Sequence, residues 1–172
     1  MTEHRVQMTG RIGGLTQGYD LHAEWNGAEL HGRIGGRFEG KDIHLTVQEG
    51  RVHGRIGGHF DGFDAGGGLS PTRADVRLGG RIEGDDVDLT LDGSQIHGRF
   101  SGRIMGKDVR LHASGTSLSG RIGGVVDGKD VNISFGTAPV LVAALSAVCA
   151  YKALEDQQAQ ASNAAASSAS TS

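Results

Sequence analysis

Two residue types recur in this chain at a spacing that could carry chemistry. Arg11, Arg33, Arg55, Arg77, Arg99 and Arg121 stand 22 residues apart, and so do Asp20, Asp42, Asp64, Asp86, Asp108 and Asp130. Guanidinium beside carboxylate can bind an anion or tune an acid–base pair. Where every charge finds an opposite partner, the ordinary outcome is a solvated, self-neutralising face, and a structural ion-pair ladder is the expectation here. Histidine offers a second chemistry through His22, His31, His44 and His53. Two imidazoles across strands chelate Zn²⁺ or Ni²⁺, but structural zinc takes four ligands and catalytic zinc three. These histidines are therefore expected to give weak metal binding, with no resident cofactor.

Other chemical motifs are missing from the chain. The string GRIGG at Gly10, Gly32, Gly54 and Gly120 lacks the Lys-Ser/Thr ending of a phosphate loop and lies inside strand-like segments. There is no Gly-x-Ser-x-Gly elbow and no His-Glu-x-x-His helix. Cys149, the single cysteine, has no adjoining base to lower its pKa and reads as an inert thiol. No catalytic residue is expected, and the chain reads as non-enzymatic. A formal net charge of −3 supplies no basic field for nucleic acid. One unpaired cysteine and an amino-terminal stretch without an apolar leader predict a cytoplasmic protein.

The elements that must position these residues follow from the repeat. Blocks starting at 10, 32, 54, 76, 98 and 120 align without insertion, and the Arg and Asp positions are identical in all six copies. So are two glycines, at Gly14, Gly36, Gly58, Gly80, Gly102, Gly124 and at Gly18, Gly40, Gly62, Gly84, Gly106, Gly128. Side chains alternate with period two through Leu30 to Phe38 and Ile43 to Val47, the pattern of strands with one apolar face. Hairpin signals separate them: Asp61-Gly62 and Asp127-Gly128 at one end, Asn26-Gly27, Asp92-Gly93 and Ser114-Gly115 at the other. Twelve antiparallel strands are predicted.

Two-residue turns at those dipeptides predict a register. Asp20 would face Arg33, with Asp42–Arg55, Asp64–Arg77, Asp86–Arg99 and Asp108–Arg121 following. The turns at the other end would set Arg37 opposite Asp42, Arg81 opposite Asp86 and Arg103 opposite Asp108. His22 would face His31, and His44 would face His53. Gln48-Glu49-Gly50 leaves one turn open by a residue. The rival architecture, a parallel β-solenoid, would stack like charges in columns, which destabilises; the meander is preferred.

Closing the meander would bring Asp130 beside Arg11 and turn Ile12, Ile34, Ile56, Leu78, Phe100, Ile122, Leu45, Leu89, Leu111 and Ile133 inward. Glycines between these side chains leave the lumen unfilled. The segment after the last strand is apolar on every side of a helical wheel, with Thr137 placed to cap it and Pro139 in its first turn. The prediction is an all-β, twelve-stranded up-and-down barrel over residues 1–154, with a plug helix at about 138–154 and a disordered Ala/Ser-rich tail at 155–172. Such a helix-threaded barrel resembles, in strand count and helix placement, the tubby-like and phospholipid-scramblase-like domains; no site residue carries over from that resemblance.

The third unit departs from the others. Ala65-Gly66-Gly67-Gly68-Leu69-Ser70-Pro71 replaces branched side chains with backbone freedom, making Gly66, Gly67, Gly68 and Pro71 a candidate gate as well as a candidate tolerated irregularity. Three functional classes follow. The first is a structural or interaction module of unknown partner. The second is a barrel that binds a lipid or another hydrophobic small molecule behind its helix. The third is membrane association, either through the apolar helix as an anchor or through a barrel with its apolar face outward.

Overall fold

The computed structural model describes residues 4–14, 16–36, 39–80, 82–101 and 106–169. Twelve strands run in sequence: β1 (Val6–Gly13), β2 (Gly18–Trp25), β3 (Glu29–Gly35), β4 (Gly40–Gln48), β5 (Arg51–Ile56), β6 (Phe63–Leu69), β7 (Arg73–Gly79), β8 (Gly84–Asp92), β9 (Gln95–Phe100), β10 (Lys107–Ser114), β11 (Ser117–Ile122) and β12 (Lys129–Ser134). One helix, α1 (Val140–Ala169), follows. Each strand pairs antiparallel with its sequence neighbours, and β12 pairs with β1, which closes the barrel. The solenoid alternative is thereby set aside.

The hairpin register differs from the one the sequence suggested, by two residues at the tight turns and by four at the other end, where Asp42 faces Arg33 in place of Arg37. In the tight turns at Asn26-Gly27, Asp92-Gly93 and Ser114-Gly115 glycine occupies the first central position, not the second, whereas Glu49-Gly50 keeps it second and Pro71-Thr72 has none. Asn26 Oδ1 accepts from the amides of Ala28 and Glu29 at 3.0 and 2.8 Å, so the turn centres on Gly27 and Ala28. Gly27, Gly93 and Gly115 have φ of 102°, 61° and 60°, the positive values that primed hairpin turns require. The tight-turn shift sets Arg33 opposite His22, and the shift at the other end sets Arg33 opposite Asp42 and Asp20 opposite Arg11. Likewise Asp86 faces Arg77 and Asp108 faces Arg99; the Arg37, Arg81 and Arg103 expected opposite these carboxylates lie outside the described residues. At the seam Arg11 lies opposite Asn132, and Asp130 faces Arg121. The expected Arg11–Asp130 pair does not form, although the barrel closes.

Alternation directs one face of every strand inward. All ten lumen residues expected from the sequence are buried, joined by others such as Met8, Leu21, Leu30, Ile43 and Ile96. Helix α1 fills the hollow: Leu141 to Leu154 are buried apart from Lys152, and the helix packs against β1, β2, β3, β7, β8, β11 and β12. The fit is geometric. Fourteen helical residues span about 21 Å; an eight-residue strand spans about 27 Å and, tilted about 40°, rises about 21 Å. Ser146, the buried polar side chain of the core, donates to the Val142 carbonyl at 2.7 Å, and no buried side-chain nitrogen or oxygen among the described residues lacks a partner. The Pro139 carbonyl opens the helix by accepting from Val142 and Ala143 at 3.1 and 3.2 Å.

Beyond the barrel α1 continues to Ala169, where the composition suggested a disordered tail. Alanine has the highest helix propensity, and extending a helix already anchored in the barrel requires no new nucleus.

One packing rule explains the odd third unit. At five junctions an inward glycine faces an apolar residue: Gly10 with Ile133, Gly32 with Ala23, Gly54 with Leu45, Gly98 with Leu89 and Gly120 with Leu111. The strands approach so closely there that a Cβ on Gly54 would lie 2.0 Å from the His44 carbonyl oxygen. At the sixth junction the roles are exchanged, and Val76 faces Gly67. A Cβ on Gly67 would sit 2.1 Å from the Asp75 carbonyl oxygen.

Candidate functional site

The repeated Arg and Asp meet inside each hairpin. Arg11–Asp20, Arg33–Asp42, Arg55–Asp64, Arg77–Asp86, Arg99–Asp108 and Arg121–Asp130 close at 2.7, 2.9, 2.7, 2.7, 3.4 and 2.6 Å. The same guanidiniums reach loop carbonyls: Arg11 to Gly14 at 2.8 Å, Arg55 to Gly58 at 2.7 Å, Arg77 to Gly80 at 3.0 Å and Arg121 to Gly124 at 3.1 Å. Each of these four arginines thus ties its carboxylate to the loop that joins the two strands. The glycine seven positions after each arginine is needed for the same reason. A Cβ on Gly18 would crowd the Ile12 carbonyl at 2.7 Å and the Arg11 guanidinium at 3.1 Å. The ladder's hydrogen-bonding capacity is largely spent on the hairpins themselves.

These loops ring the mouth from which α1 emerges. At that mouth Lys107 pairs with Glu155, Tyr151 Oη donates to Glu155 at 3.0 Å, and Lys152 bridges Asp85 at 2.9 Å and Asp156 at 3.3 Å. Burial pulls the Lys152 ammonium pKa down, and the two carboxylates more than offset it, so the net shift is upward. Burial raises the Tyr151 phenol against the field of Lys107. On the other side Tyr19 and Glu39 bond Gln157. The helix is locked to the collar by polar contacts, above an apolar core.

Outside this collar the loop tips are apolar. Phe60, Ile82, Val125 and Val126 are 99, 96, 93 and 96% exposed. They sit in the loops after β5, β7 and β11, and Phe60, Ile82 and Val126 occupy one repeat position, five after the repeated arginine. The sequence puts Phe38 and Ile104 at that position too, outside the described residues. Sequence reasoning overlooked this feature, although the 22-residue alignment displays it directly.

At the opposite mouth a cleft of about 400 Å³ is lined by Val47, Leu69, Pro71, Leu91, Pro139 and Val140, among others. Of the gate candidates only Pro71 reaches it, while Gly66, Gly67 and Gly68 lie in β6, paired with β5 and β7 on both sides. Cys149 is buried in α1, and desolvation pushes its pKa up to about 12.

The corrected register also rearranges the histidines. His22 faces Arg33 and His53 faces Thr46, so neither expected pair forms. Instead His31 faces His44 across β3 and β4, with ring centroids 3.9 Å apart and planes at 27°. Glu29 joins them, its carboxylate 3.7 Å from His44 Nε2. Glu29 precedes His31 by two residues and so shares its face; with the right register this third group was legible.

Fold and sites together define a closed twelve-stranded antiparallel barrel, threaded and filled by its own carboxy-terminal helix. No family model, curated protein or solved structure matches the chain.

Proposed function

We propose that this protein is a non-enzymatic interaction module, a filled barrel that presents the tips of its glycine-rich loops to a protein partner. The observation that carries this reading is the near-complete exposure of Phe60, Ile82, Val125 and Val126 around one mouth. Burying a large apolar side chain yields about 1.5–3 kcal/mol, so leaving four in water on a single rim has a use where something covers them. Asp61, Glu83 and Asp127 stand in the same loops, which suits a protein surface better than an anionic lipid one. The paired state of the repeated charges supports the non-enzymatic part of the reading. The single cysteine, buried and unpaired, supports a cytoplasmic location.

The test places a photoreactive residue at position 60, 82 or 126 in cells, with positions 9 and 119 on the exposed barrel wall as controls. Discrete adducts from the tips alone are expected. Equal labelling from tip and wall, or turnover of esters, lipids or nucleotides by the purified chain, would overturn the reading.

The cleft at the opposite mouth favours a second reading, binding of a small hydrophobic molecule. Its lining combines Pro71 with the first turn of α1. Displacement of a fluorescent fatty acid, abolished by Leu91→Trp, is the expected result; no saturable binding to the wild-type chain refutes it. As to membrane association, no helix among the described residues is long and apolar enough to cross a bilayer, and the barrel's apolar face is turned inward around α1.

A further inference from the structure

We propose that Glu29, His31 and His44 form a binding site for a divalent transition-metal ion of the zinc class. The three side chains offer one ligand atom each, all within 4.8 Å of one another. Two imidazoles and a carboxylate are a donor set that Zn²⁺ accepts, with bonds of about 2.0–2.2 Å. Tetrahedral bonds of that length put donor atoms about 3.4 Å apart, so the most distant pair must close by little more than about 1 Å. Rotation of solvent-facing side chains supplies that movement. The backbone need not shift, because β3 and β4 are adjacent staves of a closed barrel and His31 and His44 are directly opposed.

The charges nearest the site are already paired elsewhere. Glu24 faces His31 from β2, although its carboxylate is engaged by Arg5 and Gln7 at 3.0 and 2.8 Å. Arg55 faces His44 from β5, but its guanidinium is turned to Asp64 and to the Gly58 carbonyl. Arg33, two residues along from His31, is bonded to Asp42. The arrangement is also not a product of the repeat. The equivalent rungs pair His53 with Gly66, Asp75 with Asp88, His97 with Arg110, Ser119 with Asn132 and Thr9 with His22. Two imidazoles oppose each other in the second hairpin alone. Three protein ligands leave one coordination position, open toward solvent, for water.

The experiment titrates untagged, full-length protein with ZnCl₂, followed by calorimetry and by the imidazole resonances of the wild-type chain. One ion per chain is expected, with His31 and His44 shifting together and the other histidines unmoved. His31→Ala and His44→Ala should each weaken binding by at least about tenfold, the lower bound for losing even an outer-shell partner, while His97→Ala leaves it unchanged. Zinc binding that survives the double substitution, resonance shifts spread over all histidines, or no saturable binding would each overturn the proposal. The resonance readout needs no variant, so a misfolded substitution does not rescue it.

Discussion

The exchange of roles between Val76 and Gly67 can be tested by restoring the arrangement of the other units. Val76→Gly removes a buried side chain; three carbons at about 0.8 kcal/mol each, plus the entropic cost of a strand glycine, give about 3 kcal/mol. Gly67→Leu places a Cβ 2.1 Å from the Asp75 carbonyl oxygen and 2.8 Å from Val76 Cα, an overpacking expected to cost about 3 kcal/mol. Together the two changes recreate the Leu45–Gly54 pairing. Because the clashing atoms are backbone and remain after Val76→Gly, relief requires β6 and β7 to take up the offset of the Leu45–Gly54 junction. With that shift the double variant should lose only about 1–2 kcal/mol where simple addition gives about 6, a coupling at or beyond the upper end of what contacting residues show. Urea denaturation followed through Trp25, the single tryptophan and a buried one, reads all three variants. Additivity to within about 0.5 kcal/mol would refute the reasoning. A slack, gate-like β6 would accept Gly67→Leu with little cost, so the cycle also discriminates between a compensated packing and a portal.

The loop clamp predicts an asymmetry: Arg55→Met, losing both Asp64 and the Gly58 carbonyl, should cost about 1–2 kcal/mol, and Asp64→Asn, which spares the loop bond, under about 1 kcal/mol. Both are read from urea midpoints, and the reverse order would contradict the clamp. Cys149, with its pKa raised to about 12 by burial, stays protonated in the folded state after the unfolded thiol ionises near pH 8.5. The folded state then binds more protons, so this contribution to stability is complete below about pH 8.5 and falls through the interval up to about pH 12. Native protein at pH 8 should resist thiol reagents until urea opens it, and rapid native labelling would refute the burial. Truncation after Gln158 removes, among the described residues, only exposed helix and should leave the thermal midpoint within a few degrees, whereas truncation after Ser146 should abolish cooperative unfolding.

The sequence carried the architecture because its signals were redundant. Six copies of one alternating pattern fix strand number, and Val140 to Tyr151, apolar on all sides, has nowhere to go but the lumen. Register was not legible because dipeptides such as Asn26-Gly27 do not say which central position glycine takes. That choice moves the partner by two residues and keeps every side chain on the same face. The error therefore left the core intact and rearranged only the surface, separating His22 from His31 and joining His31 to His44. Nor did identity across copies mark the most demanding backbone position. The residue two after each described arginine carries φ of 104° at Gly13 and 84° at Gly57, yet the fifth copy places Ser101 there with φ of 65°.

This division of labour has a functional consequence. Positions identical in all six copies, the Arg, the Asp and the glycines that make room for them, are consumed in holding hairpins together. A partner that read only those positions would meet six near-equivalent faces and could not orient itself. Orientation has to come from what differs between copies; the third unit's exchange is a matter of strand packing, and two further differences place distinctive side chains on the surface. The tips change from His59-Phe60 to Val125-Val126, and one rung out of six sets two imidazoles beside a carboxylate. Replacing Phe60, Ile82, Val125 and Val126 together by serine should thus abolish cross-linking from a photoreactive residue placed at the neighbouring exposed position 59 while leaving the urea midpoint unchanged, since none of the four packs in the core. A large loss of stability in that variant would mean that the tips serve the fold, and the argument separating scaffold from recognition would fail.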